Sequence, residues 1–348
     1  MKFLAIMMVL YLNMISSVQL GAVPLDNVNS FKITEDINAI SNTAEIVIPH
    51  NYEKLDGKHI LEQIKVGDPV LIRSGYYAGT YLNMADEFVG YIREIESEMP
   101  IKIHCDDESY ILQQTNYVKS YPNAKLKDVL TDIIPKSIKV ECPDVTLGDF
   151  QIDNQSAFTV LNTLKEEYGI YSKLRNGVLK VNLRDLIDVN EKENVHTYTL
   201  NPGVAEGSII KKSELKYKRK EDFQLRVKAT AMQDYTKKNG KAGVKKFSVE
   251  VGSKQHNASQ INVTYPGKVS EKDLQEFATS IYNKRCYDGF TGSITGFGLP
   301  RTHAGDSLVI NSNTDNEKKG KYLIEKVEIS YDESSAYSRK NELSYRLS

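Results

Sequence analysis

The chain has 348 residues, 40% hydrophobic and 26% charged, with 21 glycines against 10 prolines. That balance suits two or three globular domains and excludes a disordered, collagen-like or low-complexity chain. A formal net charge of −1 leaves no global pull toward nucleic acid or anionic lipid, and Cys105, Cys142 and Cys286, an odd number without C-x-x-C spacing, indicate neither a disulfide framework nor a zinc site.

Lys2 followed by "FLAIMMVLYL" has the charge and apolar run of a signal peptide. Cleavage near Gly21 or Ala22 would place Gln19 or Leu20 where a small residue belongs. Leu12, Met14, Ser16, Val18 and Leu20 instead alternate as a strand would, which leaves residues 1–10 as a hydrophobic extension. The strand is the favoured reading, with the signal peptide as the alternative. No stretch is long and apolar enough to predict a membrane span.

Residues 29–48 alternate apolar and polar and end at Pro49, predicting strands. "VGDPVLIRSGYY" at 66–77 launches an apolar strand from a Gly-Asp turn, and "EFVGYIREIES" at 87–97 and "PIKIHCDDESYIL" add further strands. After Tyr121-Pro122 the period changes. Leu126, Val129, Leu130, Ile133 and Ile134 recur at helical spacing up to Pro135, and a second helix starts near Ser156 and stops at Gly169. Asn176-Gly177 suits a type I′ hairpin. From Val195 strands return, interrupted by one amphipathic helix over 270–288 with Ser270 as its cap. The predicted organisation is a β-dominated α+β chain. A first barrel occupies 1–121, a small α+β module 122–190, and a second barrel 191–348.

Two segments repeat. Gly67-Asp68-Pro69-Val70-Leu71-Ile72 is followed by Gly90-Tyr91-Ile92-Arg93-Glu94-Ile95, and Gly305-Asp306-Ser307-Leu308-Val309-Ile310 by Gly320-Lys321-Tyr322-Leu323-Ile324. Each unit has a Gly-Asp turn, an apolar strand, a loop and a glycine-started strand with Tyr and alternating aliphatics. Glycine supplies the unusual backbone angle and Asp binds the turn's amides. The pattern predicts a duplicated antiparallel β-barrel.

"FTGSITGFGLPRTHAGDSLVI" with "GKYLIEKVEISYD", and "AEIVIPHNY", "VGDPVLI" and "FVGYIREIESEMPIKIHCDD", resemble the two barrels of phage tail hub proteins of the late-control-D type, over roughly residues 11–345. The resemblance implies a structural protein of the virion tail baseplate, assembled in the host cytoplasm. It implies a homotrimer whose six tube-protein-like barrels adapt a sixfold tail tube to a threefold spike. Its implied partners are the tube protein, the spike and other baseplate proteins, with the tape-measure protein a further candidate. In that reading Gly67, Asp68, Gly305 and Asp306 are structural turns. The alternative from a different class is a secreted β-rich binding protein, which mature N-terminal sequencing would distinguish.

Chemistry finds little support. His104 and Cys105 fall on opposite faces of a strand, and Cys286 with His303 is a chance pairing of thiol and base. No metal-binding His spacing, Walker loop or dinucleotide fingerprint occurs. The expectation is no enzyme, no metal and no cofactor. Residues 86–110 carry eight acids against Arg93 and Lys102, whereas residues 211–246 carry thirteen Lys or Arg against four acids. The basic run lacks the interleaved aromatics of a nucleic-acid site, so both runs read as solvated faces. Lys237, Lys238, Lys245 and Lys246 are candidate intersubunit contacts.

Overall fold

The alternation over residues 12–20 is realised as a strand, Asn13–Leu20, with Val18 and Leu20 buried on its inward side. It pairs antiparallel along its whole length with Pro69–Ala78, so removal of the first twenty residues would strip that strand from the sheet. The computed structural model describes residues 13–25, 28–48, 54–55, 57–78, 81–183, 194–200, 210–236, 242–312, 319–332 and 337–347.

Among the described residues, thirteen strands join in one sheet. Its first unit runs, in pairing order, Val23–Leu25, Asn13–Leu20, Pro69–Ala78, Tyr81–Glu96, Ile101–Asp106, Thr43–Ile48 and Ser30–Asp36. Its second unit contains Gly320–Asp332, Ser338–Arg346, Ser293–Gly296 and Ile210–Ser213 on one path, with Ser307–Ser312 beside Gly320–Asp332 and Val195–Leu200 beside Ser307–Ser312. The described strands do not close either unit upon itself. Instead Ser30–Asp36 pairs antiparallel with the far end of Gly320–Asp332, from Lys326↔Asp36 to Asp332↔Ser30. One apolar core continues beneath both units, from Val18, Phe31 and Ile72 to Leu308, Ile324 and Ile329. Burial of such side chains, at about 25 cal/mol per Å² of apolar surface, is the main force holding the sheet.

The module has its own core of Leu126, Val129, Leu130, Leu161, Leu164 and Leu179 among others. Helix α1, Leu126–Ile133, and helix α2, Ala157–Tyr168, bury one face each. Ser156 caps α2 by accepting the Thr159 amide, and Gly169 closes it at φ 66°. Asn176 and Gly177 both take positive φ in the hairpin between Ile170–Arg175 and Val178–Leu183. The strand Asn116–Lys125 pairs with Thr146–Ser156 and brings the chain into the module. Buried Lys173 fastens the module to the first unit, its ammonium donating to the Asp36 and Ala39 carbonyls and to Asn42 Oδ1 at 2.7–3.1 Å.

Inserted in the second unit, Leu225–Thr236 pairs antiparallel with Ala242–Gly252 and parallel with Ser259–Lys268. Helix α3, Glu271–Arg285, covers this small sheet with Leu274, Ala278 and Ile281. Ser270 accepts the Asp273 amide as its cap, and Lys284 and Arg285 stand at the negative end of the helix dipole. No described helix is long and apolar enough to cross a membrane.

Candidate functional site

The two Gly-Asp turns share one hydrogen-bond pattern. Gly67 N donates to Ile92 O at 2.8 Å, and Ile92 N returns to Asp68 O at 2.9 Å. Gly305 N donates to Ile324 O at 2.9 Å, and Ile324 N returns to Asp306 O at 2.9 Å. Each Asp amide reaches the carbonyl three residues back, and each Asp carboxylate accepts that residue's amide: Lys65 N to Asp68 at 2.9 Å, His303 N to Asp306 at 2.8 Å. The glycines lie at φ 90° and 94°, where a side chain would be strained.

The likeness extends outward from the turns. Pro69–Ala78, Tyr81–Glu96, Ile101–Asp106, Thr43–Ile48 and Ser30–Asp36 pair antiparallel in that order. Ser307–Ser312, Gly320–Asp332, Ser338–Arg346, Ser293–Gly296 and Ile210–Ser213 repeat the order, the direction and the chain sequence. Both units even carry a register shift at the same place, between Ile92 and Glu94 and between Ile324 and Lys326. The units differ at the next strand, which is antiparallel in the first (Asn13–Leu20) and parallel in the second (Val195–Leu200).

One detail of the sequence alignment is corrected by this register. With Ile92 matching Ile324, Gly90 matches Tyr322 and Gly320 matches Phe88, so the glycines that start the two later strands are not equivalent. A Cβ on Gly90 would meet the Phe88 ring, and one on Gly320 would meet the Tyr322 ring. Each unit therefore lays an aromatic over a glycine two residues away, in opposite order.

The seam between units is polar at its centre. Glu87 is the extra residue of a bulge between Ile72↔Phe88 and Arg73↔Asp86, and it turns inward, fully buried at its side chain, to pair with buried Arg339. Tyr337 donates its hydroxyl to Glu87 Oε1 at 2.6 Å, and Arg301 Nε approaches the same oxygen at 3.2 Å. Arg339 also donates to the carbonyls of Gly298 at 3.1 Å and Thr302 at 2.5 Å. Burial disfavours the Arg339 charge, and Glu87, Tyr337 and Glu35 together more than offset it, raising its pKa.

Beside this cluster, Glu35 of the first unit accepts the Ala304 amide at 3.0 Å and faces His303 Nδ1 at 3.0 Å. Burial pushes the Glu35 pKa up, but the hydrogen bond and charge of His303 hold it below its ordinary value. Burial pushes His303 down, but Glu35 holds it above its ordinary value. The Glu35 contribution is present above pH 4.5 and fades as pH falls through its lowered value; that of His303 is present below pH 6.5 and fades as pH rises through its raised value. The seam is expected to be tightest between those values. In urea titrations across pH, the wild type should lose stability as pH rises through the raised His303 value and His303→Gln should not show that fall; equal pH profiles would refute the assignment.

Asp306 is itself buried and receives His196 Nε2 at 3.0 Å and Asn194 Nδ2 at 3.3 Å as well as the turn amide. Burial would raise its pKa, and these donors hold it below the ordinary value. Asp68 is half-buried and serves its turn, so the two aspartates do the same backbone work in different surroundings.

Other sequence candidates separate. Cys105 is buried in the core with its thiol pKa pushed to about 12 by burial, while His104 faces outward to Glu96 at 2.8 Å. His303 is engaged with Glu35, and Cys286 caps α3. Among the described residues no three His, Cys, Asp or Glu side chains are grouped to hold a metal. The acidic run is not uniformly solvated, since Glu87, Asp106 and Asp107 are buried. Lys246 is exposed; Lys237, Lys238 and the side chain of Lys245 lie outside the described residues. The sequence reading missed Glu35, Glu87 and Arg339. A charged residue at an inward position of a strand was the available signal for Glu35 and Arg339, and none marked the bulge at Glu87.

No protein-family model and no curated protein sequence matches the chain. Its fold is that of solved tail proteins. It is similar to a tail protein from Neisseria meningitidis MC58, at 12% identity over 95% of this chain and 96% of that one, with a TM-score of 0.58. It is similar to the 43 kDa tail protein of prophage MuSo2 from Shewanella oneidensis, at 14% identity over 95% and 98%, with a TM-score of 0.58. It is also similar to an Escherichia coli component of the type VI secretion system, itself described as structurally similar to T4 bacteriophage tail proteins, at 10% identity over 95% and 79%, with a TM-score of 0.54.

Proposed function

We propose that the chain is a structural subunit of a phage tail baseplate or a related injection machine, a hub in which three copies form a ring. The observation that carries this reading is the unit built twice, with the same five-strand order, the same Gly-Asp turn and the same register shift. Three such chains present six like units, so one ring meets a sixfold tube on one side and a threefold spike on the other, and closed symmetry is the usual solution for an assembly. The fold shared with tail proteins supports the same reading. The turns then serve architecture, and no step of chemistry is asked of them. The partners in this reading are tube, spike and neighbouring baseplate proteins.

Light scattering is expected to give three times the 39.3 kDa chain mass. The trimer should loosen in high salt without loss of strand signal, because exposed ion pairs set register and rate more than stability. Reversing Lys237, Lys238, Lys245 and Lys246 to Glu should weaken trimers while leaving monomer melting almost unchanged. A chain that stays monomeric at every concentration and salt, alone and with tube protein, would overturn the ring.

A further inference from the structure

The chain contains one completed seam and both halves of a second. In the completed seam, the edge strand of the first unit, Ser30–Asp36, lies along Lys326–Asp332, the part of the second unit's long strand beyond the Gly-Asp turn. The internal repeat assigns an equivalent to each side. Ser213↔Ile294, Lys216↔Thr291 and Tyr217↔Phe290 place Ser213–Lys218 where Phe31–Asp36 stand. The shared register shift places Glu94–Glu98 where Lys326–Ser330 stand.

Among the described residues, no strand pairs with the outer edge of either equivalent. Ser213–Lys218 pairs, among the described residues, with strands on one side only, and beyond Ile92 the strand Tyr81–Glu96 pairs only with Ile101–Asp106. The two turns differ accordingly. Ala304, covered by Glu35, is 5% exposed, whereas its counterpart Val66 is 53% exposed. An uncovered sheet edge in a native protein calls for a partner or a charge to blunt it.

We infer that Ser213–Lys218 of one copy lies along Glu94–Glu98 of the next, repeating between chains the seam that Ser30–Asp36 makes within one. This rests on the ring reading above and names the surfaces that close it. The occupant is a second copy of this chain, because the charges are complementary. Where Asp36 stands opposite Lys326, the new seam sets Lys218 opposite Glu94; where Thr34 stands opposite Glu328, it sets Lys216 opposite Glu96. All four of these side chains are exposed in the single chain. Glu214 would fall opposite Glu98, and Lys212, 2.5 Å from Glu214, offsets that contact. The strand ends at Glu96 rather than running on as far as the counterpart of Asp332, so the intersubunit ladder is shorter than the internal one. A head-to-tail contact of this kind closes into a ring when the rotation it repeats is that of the internal seam.

The test is a charge exchange. Glu94→Lys with Glu96→Lys, and separately Lys216→Glu with Lys218→Glu, are each expected to raise the trimer dissociation constant at least about tenfold at low salt. The chain carrying all four changes should recover to within about threefold of wild type, because the pairs are restored with reversed sign. A second measurement fixes the register. Glu96→Cys with Lys216→Cys in one chain should cross-link neighbouring copies under mild oxidation, since directly opposed strand residues have the spacing a disulfide needs; either single cysteine should not. Wild-type trimers that ignore both half-reversals and fail to cross-link would overturn this seam and leave the ring standing. Wild-type monomers under all conditions would overturn the ring itself.

Discussion

Replacing Arg339 by leucine is expected to destabilise the sheet by about 3–5 kcal/mol, the cost of leaving a buried carboxylate without its partner. Both side chains of the Arg339–Glu87 pair are fully buried, and the guanidinium also donates to the Gly298 and Thr302 carbonyls, so one substitution takes a donor from three acceptors. Arg301 cannot fully replace it, because it approaches from a partly exposed position and is also committed to Asn83 and the Ser74 carbonyl. The double variant Glu87→Leu with Arg339→Leu should recover part of the loss, since an apolar pair removes the uncompensated charge while Tyr337 and Arg301 lose only one acceptor each. Urea unfolding followed by circular dichroism gives both numbers. A loss below about 1 kcal/mol for Arg339→Leu would mean that water reaches Glu87 and that the cluster is not the dry centre of the seam.

That cluster marks the limit of what the sequence discloses. Elements governed by local chemistry are legible in it: the 3.6-residue spacing of Leu126, Val129, Leu130 and Ile133, the Ser156 and Ser270 caps, and the Asn176-Gly177 turn all appear as read. The paired Gly-Asp turns are legible too, because glycine at positive φ and a short acceptor are chemical requirements of that loop. Register is not. A bulge adds one residue to one strand without any compositional mark, so Glu87 reads as one more acid in a charged stretch although it points inward. The same blindness made Gly90 and Gly320 look equivalent. The pairing of Ser30–Asp36 with Gly320–Asp332 joins segments nearly 300 residues apart, and only packing selects it. Alternation shows that each strand has a buried face, not which edge it will meet.

The exchanged aromatic–glycine pairs give the second large effect, and they separate two kinds of crowding. A Cβ at Gly90 would lie 2.2 Å from the backbone carbonyl oxygen of Asp106, besides 2.7 Å from the Phe88 ring. That carbonyl belongs to a neighbouring strand whose register is held by Tyr91↔Asp106 and Ile92↔Cys105. The three atoms nearest a Cβ at Gly320 all belong to the Tyr322 side chain, at 2.8–3.0 Å. Overpacking costs about 1–3 kcal/mol where neighbours can shift and more where they cannot. Gly90→Ala is therefore expected to cost about 3 kcal/mol or more, and Gly320→Ala about 1–2 kcal/mol. Trimming the aromatic should tell the two apart. Tyr322→Leu alone loses the hydroxyl that accepts the Phe290 amide at 2.9 Å, but once it is made, Gly320→Ala should add almost nothing, giving a coupling of about 1 kcal/mol. Phe88→Leu should leave Gly90→Ala nearly as costly as before, with a coupling below about 0.5 kcal/mol, because the carbonyl obstacle stays in place. Equal couplings in the two cycles would show that the Phe88 ring, and not the Asp106 carbonyl, sets the requirement for glycine at position 90.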